Sequence, residues 1–166
     1  MVVFLDFDGV LINARSLRER RPLSHRADPD CVAALNHITN TTGAHIVISS
    51  AWRLDYSREE LAELLLSWGV TGQFVGLTPA FGYGTERGDE IGAWMLAESV
   101  PNQNIVILDD DQEMLALTPR LVRTNSDIGL TMDHALAGIA LLHRSSAQEL
   151  GEPFGTEGPP EESAQF

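Results

Sequence analysis

Five short, continuous apolar runs rich in β-branched residues punctuate the chain: Val2–Leu5, His45–Ile48, Phe74–Leu77, Ile105–Leu108 and Leu121–Arg123. Runs of this length without alternation suit strands buried on both faces. Helical patterns separate them. Asp28-Pro29 places a cap ahead of a proline in the first turn, and Val32, Leu35, Asn36 and Ile38 continue that helix to Gly43. Ser57 and Glu60 form a capping box before Leu61, Leu64, Leu65 and Trp68, ending at Gly69. Ile91, Trp94, Met95 and Val100 mark a third stripe closed by Pro101, and Thr131 begins a last helix carrying Ala135, Leu136, Ile139 and Leu142. Strands alternating with helices predict an α/β fold, a parallel sheet covered by right-handed crossovers. Such sheets place their chemistry at the carboxyl ends of the strands.

At 166 residues the chain suits one domain, and 43% hydrophobic with 21% charged residues excludes disorder, collagen and coiled coil. The 24 acids outnumber 11 bases, every base is Arg, and a net charge of −13 argues against non-specific wrapping of nucleic acid or docking on anionic membrane. A local basic site stays compatible with it. No apolar run reaches the roughly 18 residues of a membrane span. Acids follow Met1–Leu5 at once, unlike the basic-then-apolar layout of a signal peptide, so a cytoplasmic location is expected. From Ser145 the composition shifts to Glu, Gly, Pro, Ser and Gln, which predicts a domain over 1–144 and a disordered acidic tail over 145–166. Cys31, the single cysteine, sits among helical apolar neighbours and is expected to be a buried small side chain.

The first run ends in Phe4-Leu5-Asp6-Phe7-Asp8-Gly9-Val10-Leu11. Two carboxylates two residues apart lie on one side of an extended segment, and like charges that close need a cation between them or a proton on one. Alone, the pattern could be an Asp-Gly turn. The fourth run, however, passes directly into Asp109-Asp110-Asp111, a second acidic cluster at the same sheet edge. Asp6, Asp8 and Asp109 can converge there on a hard cation with oxygen ligands, which describes magnesium better than zinc or calcium. His25, His37, His45, His134 and His143 show no zinc spacing. The second run ends in Ser49-Ser50-Ala51-Trp52-Arg53, offering a hydroxyl at that edge, and Arg87 opens the third helix as a permanent cation.

These residues carry a resemblance to the haloacid dehalogenase (HAD) superfamily of phosphatases, whose four motifs occur here in order as FLDFDGVL, VISS, Arg87 in TERGDEIGAW, and VILDDD, over about Met1 to Leu142. The resemblance implies a three-layer Rossmann-like fold with sheet order 5-4-1-2-3. It implies Asp6 as a nucleophile that forms an aspartyl phosphate, and Asp8 as the acid that protonates the leaving oxygen and then the base that activates water. Magnesium would be held by the Asp6 carboxylate, the Asp8 main-chain carbonyl and the Asp109–Asp110 cluster. Ser49, or Ser50 one residue on, would bond a phosphoryl oxygen, and Arg87 would neutralise another. The presence of Asp8 favours phosphatase over dehalogenase.

Larger relatives insert a cap domain after the first motif or between the second and third. About 40 residues separate Asp8 from Ser49 and about as many lie between Ser49 and Arg87, so no cap domain fits. An open site implies a macromolecular substrate, or a subunit that supplies the lid. Residues 13–26 hold Arg15, Arg18, Arg20, Arg21 and Arg26 with a single acid, where the family has a flap. A basic flap on an acidic protein suits an RNA or DNA end, with Arg18, Arg20, Arg21 and Arg53 as phosphate contacts. Trp52 either stacks on a base or packs in the core. The combination SSAWR, TERGDEIGAW and VILDDD is similar to short capless domains of bacterial RNA repair proteins.

Three rivals stand beside this reading. Gly82-Tyr83-Gly84-Thr85-Glu86-Arg87-Gly88 approaches a dinucleotide fingerprint, but its third glycine is one residue late and it follows the third strand; a mobile loop carrying Phe81 and Tyr83 is the better expectation. A phosphatase of small esters, and a non-catalytic magnesium-binding module, are the other two. Oligomeric state is left open.

Overall fold

The computed structural model describes residues 1–82 and 84–148. Five strands, β1 (Val2–Leu5), β2 (His45–Ile48), β3 (Phe74–Leu77), β4 (Ile105–Asp109) and β5 (Leu121–Arg123), form one parallel sheet in the order β3-β2-β1-β4-β5. All five expected strands are present, with β4 one residue longer. The interiors of the central strands β1, β2 and β4 are sealed on both faces, as their unbroken apolar character requires, while β3 and β5 at the edges are only partly covered. On one face Val3, Leu5, Ile46, Ile48, Val106 and Leu108 pack against α2 (Pro29–Thr42), α3 (Arg58–Ser67) and α5 (Met132–Gln148). On the other, Phe4, Val47, Ile105 and Ile107 meet Ile91 and Met95 of α4 (Arg87–Ala97) and Met114.

The caps work as the sequence suggests. Asp28 accepts from the Asp30 amide, Ser57 and Glu60 exchange the reciprocal bonds of a capping box, and Gly43 ends α2 in the left-handed conformation. Between β1 and β2 the chain adds only a five-residue helix, α1 (Ala14–Arg18), and a 3-10 turn at Leu23–His25 before α2. A 3-10 turn, Ala51–Leu54, precedes α3. None of these connections holds a cap domain. Among the described residues no helix is long and apolar enough to cross a membrane. α5 runs on to Gln148, and the rest of the expected tail, 149–166, lies outside the described residues, as does Tyr83.

Register positions the site. Leu5 lies opposite Ile48 and Leu108, and Ile48 opposite Leu77. Parallel hydrogen bonding continues one step further, from the Asp6 amide to Leu108, Ser49 to Leu5, and Thr78 to Ile48. Thr78, Ser49, Asp6 and Asp109 therefore form a row across four strands at the carboxyl edge, and all four are buried.

Candidate active site

A hard turn carries the chain out of β1. The amides of Val10, Leu11 and Ile12 all point at the Phe7 carbonyl, and Gly9 takes φ +73°. A Cβ on Gly9 would come within 2.3 Å of the Asp110 carboxyl carbon, so glycine is required both for the left-handed turn and for the space that Asp110 fills. The Thr124 hydroxyl donates to the Gly9 carbonyl at 2.8 Å, and the Thr124 amide to Asp109, tying β5 to the turn.

Oxygens of Asp6, Asp109 and Asp110 lie within 4.8 Å of one another. One guanidinium nitrogen, Nη1 of Arg87, reaches both Asp6 Oδ2 at 3.0 Å and Asp109 Oδ2 at 2.9 Å. Arg87 can come this close because Gly88 beside it lacks a side chain: a Cβ there would sit 2.5 Å from the Met114 carbonyl oxygen. Three acids against one base leave the cluster short of positive charge. Burial, and then the charge of Asp6, push the Asp109 carboxyl up to about 7 despite Arg87, and the same causes raise Asp110. A divalent cation with oxygen ligands fits this donor set.

Ser49 and Ser50 are both buried, yet they differ. Ser50 Oγ accepts from the Trp52 amide and caps the 3-10 turn. The Ser49 hydroxyl, beside Asp6 in the row, has no hydrogen-bond partner among the described residues. A buried polar group left unpaired costs roughly 1–3 kcal/mol, which marks Ser49 as the hydroxyl available to a ligand. Thr78 has the same status one strand over. Sequence reasoning missed Thr78, although it follows β3 just as Ser49 follows β2.

Asp8 is exposed, its carboxylate outside the three-acid cluster, and the Trp52 indole nitrogen donates to its Oδ2 at 2.8 Å. Trp52 is half-buried against Phe7, Tyr56 and Trp68.

Arg53 is placed differently from the expected phosphate contact. Its Nε donates to Thr78, its Nη1 to Ser49 and Ser50, and its Nη2 to Pro79 and Glu90, so all five N–H groups are engaged by the fold. Glu90, also missed, receives both Arg53 and the Phe81 amide. On the flap, Arg15 is tied to Asp28 and Asp30, and Arg21 to Glu19. Arg18 bonds the Ala14 carbonyl, while Arg20, at φ 48°, and Arg26 make no ion pair among the described residues. Cys31 is buried, which pushes its thiol up to about 11.

Residues 2–135 match the model of a family described as the HAD domain in Swiss Army Knife RNA repair proteins. No curated protein matches the chain.

Proposed function

The chain belongs to the family of HAD domains in Swiss Army Knife RNA repair proteins, and from that premise we propose that it is a magnesium-dependent phosphomonoesterase acting on an end phosphate of RNA or DNA. The observation that carries the reading is the Asp6–Asp109–Asp110 cluster, its first two acids buried and the third partly so, short of positive charge and flanked by Arg87 and a Ser49 hydroxyl with no partner among the described residues. Asp6, Asp109 and Asp110, with the Asp8 main-chain carbonyl, would hold magnesium, whose charge screens an anionic nucleophile from an anionic ester.

The remaining chemistry belongs to the side chains. Asp6 attacks phosphorus in line and forms an aspartyl phosphate. The Ser49 hydroxyl donates to one phosphoryl oxygen and Arg87 to another, orienting the group and stabilising its charge. Asp8, at the exposed rim, gives its proton to the leaving oxygen and takes one back from the water that cleaves the acyl phosphate. The open rim, with no cap domain among the described residues, and Arg18, Arg20 and Arg26 on the flap support a long polyanionic substrate over a small ester.

The test is phosphate release from 3′- and 5′-phosphorylated oligonucleotides and small phosphate esters, with magnesium or chelator. Magnesium-dependent release, strongest on an oligonucleotide and lost in Asp6→Asn, is expected. Release unchanged by Asp6→Asn, or no turnover on any ester, would overturn the reading and favour a binding module; preference for a small ester would overturn the substrate class alone.

A further inference from the structure

The contact between Trp52 and Asp8 has a consequence for proton transfer. Asp8 is exposed, and an exposed aspartate samples several rotamers unless something holds it. The holding group is an indole N–H, 2.8 Å from Oδ2. Trp52 is itself fixed: Ser50 caps its turn, its ring stacks on Tyr56 with centroids 5.4 Å apart, and it meets Phe7 and Trp68 edge to face at 5.5 and 6.1 Å. Trp68 in turn donates its indole N–H to the Leu23 carbonyl at 2.8 Å, binding the aromatic group to the flap.

An indole nitrogen donates and cannot accept. An Asp8 Oδ2 that receives this bond cannot direct a proton toward Trp52, so a proton on the carboxyl belongs on Oδ1. We propose that Trp52 is a positioning residue for proton transfer, fixing the orientation of Asp8 and reserving Oδ1 for the proton exchanged with the substrate. This rests on the phosphatase reading above. In the first half-reaction the bond from Asp6 oxygen to phosphorus forms as the bond from phosphorus to the leaving oxygen breaks, and the Oδ1 proton passes to that oxygen. In the second, a water oxygen bonds phosphorus as the Asp6–phosphorus bond breaks, and the water's proton returns to Oδ1.

The experiment compares kcat/KM of wild type and Trp52→Phe on two esters: a phosphorylated oligonucleotide, whose alkoxide leaving group needs a proton, and 4-nitrophenyl phosphate, whose leaving group does not. Phenylalanine keeps an aromatic, though smaller, ring at this position and removes the N–H. The expected loss is about tenfold or more on the oligonucleotide and less than about threefold on the aryl ester, with KM little changed. Asp8→Asn should show the same pattern more strongly, and the double variant should be no worse than Asp8→Asn alone.

Equal losses on both esters, or additive losses in the double variant, would overturn the positioning role while Asp6→Asn still abolished turnover. Release indifferent to Asp6→Asn would overturn the phosphatase reading and this inference with it. A further readout does not require a Trp52 variant to fold: in Asp8→Ala the Trp52 indole N–H resonance should move and exchange faster, and an unmoved resonance would contradict the contact.

Discussion

Arg53 and Arg87 enter the same end of the sheet from different elements and meet opposite surroundings. Arg53, in the turn after β2, finds four carbonyl oxygens and Glu90, one acceptor for each of its five N–H groups. Arg87, at the start of α4, faces Asp6 and Asp109 with one nitrogen, while Asp110 and Asp111 crowd the same region. Desolvation lowers the Arg53 pKa, helped by the nearby charge of Arg87, and Glu90 with the more weakly acting Asp6 does not offset it. Desolvation acts on Arg87 as well, yet the surrounding acids outweigh it and raise the pKa. A saturated cation locks elements together; an outnumbered one leaves negative charge and unpaired donors for something from outside. The difference separates framework from site more sharply than burial does.

Exchanging the roles of the two arginines is the strongest way to break this contrast. Arg53→Ala strands Glu90 in the interior and should cost about 3–5 kcal/mol of stability, seen as a large fall in Tm. Arg87→Ala, measured in saturating magnesium so that a cation still neutralises Asp6 and Asp109, should lower Tm less than Arg53→Ala does and lower turnover by roughly 10²–10³-fold, the range for losing one charge-stabilising donor. A stable, active Arg53→Ala would show that its saturation matters little. Gly88→Ala sharpens the point from the backbone side. The added methyl meets the Met114 carbonyl, so α4 must retreat and carry Arg87 with it; turnover should fall by about tenfold or more on displacement alone.

Charge imbalance also predicts a pH signature. Asp109 has a folded pKa of about 7 against an ordinary 3.8. The protonated form is the one that the metal-free fold favours, so stability falls as pH rises from about 4 to 7 and this group's contribution is constant above that window. Asp109→Asn removes that dependence. The Tm difference between variant and wild type, both without metal, should grow from near zero at pH 4 to a few degrees by pH 8. Magnesium should then raise the Tm of wild type alone. A variant less stable than wild type at pH 8 would contradict the imbalance. Smallest of all, Ser49→Ala should be neutral or stabilising by up to about 1 kcal/mol, since it deletes an unsatisfied hydroxyl, while turnover drops.

The layout of the sheet was legible because its signal is local and repeated. The strands are short, mostly apolar runs, and α2 and α3 are each bracketed by a cap residue and a glycine. The five-residue α1 and the 3-10 turns escaped because one turn of helix has no periodicity to read; α1 is held by Asn13 and Ser16, a cap pair without the usual glutamate. Asp6, Asp109 and Arg87 were legible because acids and a base directly follow or precede buried runs. Arg53 shows the limit. Its neighbours in sequence suggested an outward cation, and only the fold brings Glu90, from a helix 37 residues on, beneath it. The Trp52 bond to Asp8, spanning 44 residues, is equally invisible to a linear reading.

The covalent role of Asp6 can be measured directly. Protein mixed with labelled 4-nitrophenyl phosphate, whose leaving group needs no proton from Asp8, in magnesium, is quenched in acid within one turnover and mapped by peptide mass spectrometry. One phosphoryl group on Asp6, absent in Asp6→Asn and accumulating in Asp8→Asn where water is no longer activated, is the predicted result. Phosphate release without any labelled peptide, or a label on another residue, would contradict it.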